Sequence, residues 1–403
     1  MRIWWLLAAF FAAAGFLLPA AGEHSARRAA LSASLPDGAV VLFARTGDEL
    51  GDHRTGFRQD PGFFYLSGWQ EPGAALLVAP GEDILFLPKP DPAREKYTGP
   101  MLDPAGPGAP GATGFARVLP LERLDTELQR VLQTRSRIYT LGDANMHKLR
   151  QAWPLRQVAG ASEAIARMRM VKSPAELALI RKAVEATVEA HRAAWRRAAP
   201  GVYEYQVAAA MVQAYTDLGC ERSAYAPIVA SGPNATILHY WRNRRPMERG
   251  ELVLMDVGAE CSGYAADITR TIPIGAKFTD RQRQFYEAVL SAQKAAIAAV
   301  KPGIVLADLT NVARDSLDAR GGLGKFLTHR ISHHVGLDVH DAADLTVPLA
   351  ENMVITVEPG VYIPGEKTGI RIEDMVVVTK DGAEVITGAL PREPDEIEKA
   401  LGK

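Results

Sequence analysis

The chain has 403 residues, 47% of them hydrophobic, and a formal net charge of −1. That length accommodates two domains with substantial cores. The charge balance offers no basic excess to neutralise phosphates, which argues against a nucleic-acid partner.

The chain opens Met1-Arg2, continues through residues 3–18 almost without a polar side chain, and then reaches Pro19-Ala20-Ala21-Gly22. A charged start, an apolar centre and a small-residue exit predict a cleaved signal peptide over residues 1–22. The protein is then exported, periplasmic or secreted, with no stable membrane association after cleavage. An uncleaved anchor is the alternative, because the apolar run approaches spanning length. Two cysteines, Cys220 and Cys261, are too few for a disulfide scaffold. The expectation is an unpaired Cys261 thiol without a catalytic part, with pairing to Cys220 left open.

Residues 23–165 read as a smaller mixed α/β domain. Short apolar or aromatic runs at 39–43, 63–66, 75–78 and 84–87 are separated by Gly, Pro and Asp, as expected of strands. Helical spacing follows over 121–132 and a further strand over 137–141. The Pro- and Gly-rich stretch 99–113 is predicted to be a loop or arm.

Residues 166–403 form the second predicted domain. Ser173-Pro174-Ala175-Glu176 is a capping box with proline at the first helical position, so a long helix starts there. Its buried stripe is Leu177, Ile180, Val184, Val188 and Trp195, and Pro200-Gly201 stops it. Further helices are predicted up to Gly219, from Thr279 to Lys301-Pro302-Gly303, and over 307–317. Helices alternating with hairpins imply an α+β domain whose helices back an antiparallel sheet.

Between these helices lie strands that carry acids. Residues 252–259, a Cys-Ser-Gly turn and residues 264–271 read as a hairpin that sets Asp256 and Asp267 side by side. Asp is depleted in strands and costly to bury unpaired, so such a pair calls for a cation, a shared proton or an arginine. Downstream come Ile331-Ser332-His333-His334-Val335-Gly336-Leu337-Asp338-Val339-His340, then Val357-Glu358-Pro359-Gly360-Val361-Tyr362, then Ile370-Arg371-Ile372-Glu373-Asp374. One His or Glu so placed is more often a hydrogen-bonded core residue than a ligand. Five in one domain are harder to dismiss.

Asp256, Asp267, His333, Glu358 and Glu373, in these contexts, resemble the five-ligand dinuclear centre of the pita-bread metallopeptidases. The segment 234–240 with His239 is similar to the family's substrate-side histidine segment. Residues 57–68, Phe-Arg-Gln-Asp-Pro-Gly-Phe-Phe-Tyr-Leu-Ser-Gly, resemble the N-terminal domain of the aminopeptidase P branch. The resemblance implies a pita-bread catalytic domain and hydrolysis of the N-terminal Xaa-Pro bond by a water activated between two metals. Peptides with proline second are the implied partners, and a homo-oligomer is expected. It also implies that Asp267 and Glu373 bridge the metals, Asp256 completes one site, and His333 and Glu358 complete the other.

Glu358 is further implied as the base, with His239 and His340 contacting substrate and the charge that develops on it. Arg371 and Tyr362 would orient oxygens around the ligands. His334, next to the proposed ligand, is predicted to face away and is left out of the site. Four carboxylates and one imidazole favour Mn²⁺, with Co²⁺ or Zn²⁺ as replacements. One departure stands out: relatives often carry Glu-x-Trp-x-Gly in the N-terminal arm, whereas this chain has Glu95-Lys96-Tyr97-Thr98-Gly99. Tyr97 is expected to serve as an aromatic wall, in its own subunit or across an oligomer contact. Prolidase-type cleavage of Xaa-Pro dipeptides is the alternative within the enzyme class, with creatinase-like hydrolysis remote. A catalytically inactive peptide-binding module is the alternative outside it.

Overall fold

The computed structural model describes residues 21–47 and 56–402. Of the predicted signal segment, residues 1–20 lie outside these. Among the described residues no helix is long and apolar enough to cross a membrane.

In the N-terminal part the elements run α1 (Ala21–Ser34), β1 (Gly38–Phe43), α2 (Pro61–Ser67), β2 (Ala75–Ala79), β3 (Glu82–Leu87), α3 (Pro92–Thr98), α4 (Ala109–Thr113), β4 (Val118–Pro120), α5 (Leu124–Val131), β5 (Arg137–Thr140), α6 (Asp143–Ala152) and β6 (Gln157–Gly160). The strands form one mixed sheet in the order β4-β3-β2-β1-β5-β6. Strict alternation divides its two faces. Ala39, Val41, Leu77 and Phe86 pack with α5 and α6, whereas Val40, Leu42, Leu76 and Leu85 join a core continuous with the catalytic part. The sheet therefore has no solvent face, and the two domains share one hydrophobic interior.

Residues 63–66 are not a strand but the body of α2. Asp60 caps the helix by accepting from the Phe63 N–H at 2.8 Å, Pro61 occupies its first turn, and Gly68 closes it in the left-handed conformation. These start and stop signals outweigh the strand propensity of Phe-Phe-Tyr, and because Gly62 to Ser67 are all buried no helical stripe shows in the sequence. The 99–113 stretch is irregular apart from α4.

The expected domain boundary at 165/166 falls inside α7 (Ser162–Met170), which leads to α8 (Pro174–Arg197). The capping box is present: Ser173 Oγ accepts from the Glu176 N–H at 3.1 Å, and Glu176 returns the contact at 3.0 Å. Glu176 also receives the Tyr264 hydroxyl at 2.9 Å and pairs with Arg27 of α1 at 3.0 Å, so one cap joins three segments. Of the predicted stripe, Ile180, Val184, Val188 and Trp195 are buried and Leu177 is half-buried.

After α9 (Glu204–Asp217) come β7 (Arg222–Ser223), β8 (Ile228–Ser231), β9 (Leu252–Val257), β10 (Ala259–Cys261), β11 (Tyr264–Ala265) and β12 (Ile268–Pro273). Helices α10 (Asp280–Ala299) and α11 (Leu306–Asp318) then lead to β13 (Val354–Val357), β14 (Gly360–Ile363), β15 (Thr368–Arg371), β16 (Asp374–Val378), β17 (Ala383–Val385) and α12 (Pro394–Leu401). The sheets are small and antiparallel: β12-β9-β8, β11-β10-β7, β13-β16-β17 and β14-β15. Together with the long helices α8, α10 and α11 they make the α+β arrangement expected from the sequence.

Cys220, just beyond α9, and Cys261 are joined in a disulfide, which corrects the expectation of an unpaired thiol. No sequence pattern links them, because 41 positions separate the partners and only the fold brings them together.

Candidate metal centre

Asp256 lies near the end of β9, and Asp267 stands immediately before β12. The predicted hairpin is therefore two ladders, β9–β12 and β10–β11, with a break between them. Gly258 permits the break, since a Cβ there would land on the Ala266 carbonyl oxygen. Tyr225 bridges the two acids, its hydroxyl 2.5 Å from Oδ1 of Asp256 and 2.5 Å from Oδ1 of Asp267. Burial and the two carboxylates push this phenol far above its ordinary value, so it keeps its proton.

The histidine segment runs alongside β13. Glu358 N–H donates to the Ile331 carbonyl at 2.8 Å, Thr356 N–H to the His333 carbonyl at 2.9 Å, and Ser332 Oγ to the Thr356 carbonyl at 2.6 Å. His333 and Glu358 are brought together by that pairing. Glu373, between β15 and β16, is fixed over β12: its N–H donates to the Thr269 carbonyl at 3.1 Å and Thr269 Oγ1 donates to its Oε2 at 2.6 Å.

All five predicted ligands thus converge from strand ends. Asp267, His333 and Glu373 offer donor atoms within 4.8 Å of one another, and His333 Nε2 lies 3.4 Å from Asp267 Oδ2 and 3.4 Å from Glu358 Oε1. His333 Nδ1 is 3.1 Å from the His334 carbonyl, which can only accept. Nδ1 therefore carries a proton in either charge state, which leaves Nε2, the nitrogen that faces the carboxylates, as the one able to give up its proton and bind a metal.

The electrostatics fit a cation as well. Burial, with His333 and Arg371 opposing it, pushes the Glu358 carboxyl up to about 7. Burial and the neighbouring acids hold Glu373 well above the usual carboxylate range, and burial raises Asp256 too. Burial also acts to raise Asp267, but His333 and the Tyr225 hydroxyl outweigh it and the group is held low. His333 is held at about 9, burial opposing and Asp267 and Glu358 prevailing. Three buried acids and the half-buried Glu358 face one imidazole and the Arg371 guanidinium, and a divalent ion would supply the further positive charge that lets all four ionise. Oxygen donors with one imidazole and no thiolate suit hard or borderline divalent ions.

Arg371 orients the centre from behind. It donates to Asp256 Oδ2, to the Tyr362 hydroxyl at 2.9 Å and to Thr269 Oγ1 at 3.2 Å. The Tyr362 hydroxyl lies 2.9 Å from His329 Nε2, and His329 Nδ1 lies 2.8 Å from the Arg330 carbonyl. That carbonyl demands the proton on Nδ1, so Tyr362 donates to Nε2 while accepting from Arg371. Tyr362 thus acts on His329 and Arg371 rather than on a ligand oxygen.

The centre opens into a cavity of about 490 Å³ whose wall includes Leu238, His239, His329, His340 and Leu345. His340 stacks edge-on to His333 with ring centroids 4.2 Å apart. His334, left out on sequence grounds, is 1% exposed yet borders this cavity, and its ring nitrogens find no hydrogen-bond partner. Tyr97 is 90% exposed on α3 and forms no part of the cavity wall of its own chain. Tyr225, Thr269 and His329 were not foreseen either. They sit outside the ligand motifs, and only the strand pairings bring them to the site.

A cluster of four acids and one histidine beside an open cavity, backed by helices and preceded by a mixed α/β domain, has the layout of a metal-dependent hydrolase. Residues 178–380 match metallopeptidase family M24, and the chain belongs to that family. Residues 24–139 match the aminopeptidase P N-terminal domain, which places the chain on the aminopeptidase P branch. It is 32% identical to an Escherichia coli Xaa-Pro aminopeptidase over 94% of this chain and 97% of the relative. Among solved structures it is similar to proline aminopeptidase P II from Yersinia pestis, with a TM-score of 0.86 and 32% identity over 95% of this chain and 100% of that one. It also resembles aminopeptidase P from E. coli with the inhibitor Pro-Leu, at a TM-score of 0.85 and 31% identity over 95% and 98% of the two chains.

Proposed function

We propose that this protein removes the N-terminal residue from peptides whose second residue is proline. The observation that carries this reading is the conjunction of the Asp267–His333–Glu373 cluster, with Asp256 and Glu358 beside it, and the match to the aminopeptidase P N-terminal domain. Two divalent ions, with Mn²⁺ favoured by the donor set and Co²⁺ or Zn²⁺ able to replace it, balance the carboxylates. Asp267 and Glu373 would serve both ions, Asp256 would complete one site, and His333 with Glu358 would complete the other. When bound, the ions would supply Lewis-acid chemistry, polarising the scissile carbonyl and lowering the pKa of water.

The chain's own groups do the rest. Glu358 accepts the proton released by the attacking water. His239 and His340, on the cavity wall, donate to the substrate where charge develops. Arg371 fixes Oδ2 of Asp256, and Tyr225 binds Oδ1 of Asp256 and Oδ1 of Asp267, which holds the two acids at one separation. Proline's tertiary amide has no N–H, so its subsite can be an apolar wall with no acceptor.

Export belongs to the same reading. It is supported by the composition of residues 1–22 and by the Cys220–Cys261 disulfide, which persists in oxidising compartments. The exposed Tyr97 is suited to reach a neighbouring subunit in a homo-oligomer.

The test is a peptide panel with defined metals. Xaa-Pro-Yaa peptides should lose Xaa, and replacing proline by alanine should slow or abolish release. Hydrolysis of Xaa-Pro dipeptides alone would make the protein a dipeptidase. Peptide binding without turnover by a metal-loaded chain would make it an inactive module.

A further inference from the structure

The turn from His333 to Asp341 carries both a metal-ligand histidine and the cavity-wall His340, and cations from outside the catalytic sheets grip it. Arg58 comes from the N-terminal domain, just before α2. Its Nε donates to Glu260 Oε2 at 2.9 Å, and its Nη2 donates to the Leu337 carbonyl at 2.7 Å and to Asp338 Oδ1 at 3.1 Å. One guanidinium therefore spans β10, which leads toward Asp267, and the turn that leads back to His333.

The other oxygen of Asp338 accepts from Arg169 of α7 at 2.8 Å. Arg169 also donates to Asp341 Oδ1, and Asp341 Oδ2 lies 3.2 Å from the buried Lys172 ammonium. With Arg222, whose Nε lies 3.4 Å from Glu260 Oε1, four cations thus face three acids, Glu260, Asp338 and Asp341. The turn is closed from within by the Asp341 N–H to the His334 carbonyl at 2.9 Å, and it is tied to β11 by the Ala265 N–H to the Gly336 carbonyl at 2.8 Å.

We infer that Arg58 is a positioning residue of the N-terminal domain, which sets the spacing between the β10–β11 hairpin and the His333–Asp341 turn and thereby aligns His333 with Asp267. The inference rests on the proposed metal hydrolysis. Arg169 and Lys172 hold the turn's outer end but make no contact with β10, and Arg222 reaches Glu260 of β10 but not the turn, so Arg58 alone of the four links the two segments. Lysine is a poor substitute, because one ammonium cannot reach three acceptors on two segments with fixed geometry.

The test uses Arg58→Gln, Arg58→Lys and Asp338→Asn in the full chain with Mn²⁺. Bound metal is titrated by elemental analysis after dialysis at fixed free Mn²⁺, and kcat and KM are measured on one Xaa-Pro-Yaa peptide. Arg58→Gln is expected to lower kcat about ten- to a hundredfold, with KM nearly unchanged, and to weaken uptake of one of the two ions. Arg58→Lys should recover little of this. Asp338→Asn should reproduce part of the loss, and its effect should be smaller in the Arg58→Gln background than in wild type, the remainder reflecting the weakened Arg169 contact. A lower melting temperature with normal kcat and normal metal uptake per folded chain would overturn the inference. If Arg58→Gln does not fold, Asp338→Asn decides by the same two readouts. A wild type that binds two ions without cleaving the peptide refutes the hydrolase reading, and the metal titration still judges Arg58.

Discussion

At the scale of single residues, Asp267 and Glu358 differ in what their loss removes. Asp267 sits at the meeting point of Tyr225, His333 and Glu373, so Asp267→Ala should abolish or scramble metal binding, read as metal per chain by elemental analysis. Glu358→Gln keeps a donor oxygen but cannot take a proton, and kcat should fall by about 10²–10⁴ while part of the metal is retained. An unchanged metal load in Asp267→Ala would contradict the ligand assignment. A second prediction concerns His191, wholly buried on α8 with its Nε2 3.0 Å from the Ile268 carbonyl. Burial and Arg270 hold its imidazole at about 3, against an ordinary 6.5. The unfolded chain therefore takes up a proton as pH falls through 6.5 while the folded protein does not. The resulting loss of stability begins there, grows by at most about 1.4 kcal/mol per unit and levels off near pH 3. His191→Gln should flatten the difference in unfolding free energy between pH 7 and pH 5 by about 2 kcal/mol, measured by urea denaturation.

At the scale of elements, β15 lies flush against the turn that precedes His239. A Cβ on Gly369 would strike the Ala235 carbonyl oxygen, so Gly369→Ala must push the turn and β15 apart. Overpacking of this kind costs about 1–3 kcal/mol, and the displaced His239 should raise KM while the metal load stays normal. Steady-state kinetics and metal analysis separate the two effects. Elements of this kind divide sharply in how far the sequence reveals them. The helices opened by Ser173 and Thr279 were legible because capping boxes are local, and the acids were legible because each interrupts or ends a β-branched run. Phe63 to Leu66 was misread because a fully buried helix shows no amphipathic stripe. Tyr225, Thr269 and His329 could not be read, since each acts on a group that only tertiary pairing brings near. The Cys220–Cys261 bond was equally hidden, its partners lying on separate elements.

At the scale of the whole molecule, the domains are joined by a shared core and by ion pairs such as Arg27–Glu176 at 3.0 Å and Arg58–Glu260 at 2.9 Å. The two parts should therefore unfold together, in one transition by both circular dichroism and tryptophan fluorescence. The disulfide adds to that cohesion. Closing a loop between partners 41 positions apart restricts the unfolded chain by about 4 kcal/mol on the chain-entropy view, so replacing both Cys220 and Cys261 by Ser should lower the urea midpoint without changing the metal donors. The same bond divides the site in another way. Tyr225, His239 and Asp256 lie inside the covalent ring, whereas Asp267, His333, Glu358 and Glu373 lie beyond it. Residues 241, 242 and 244 are exposed on the ring's outer stretch, with arginine at two of them. Trypsin cutting there would open the ring without releasing either piece: a non-reducing gel would still show the intact mass, a reducing gel would show two fragments, and the piece with Tyr225 and His239 would stay tethered to the piece that carries Asp256, Asp267, His333, Glu358 and Glu373.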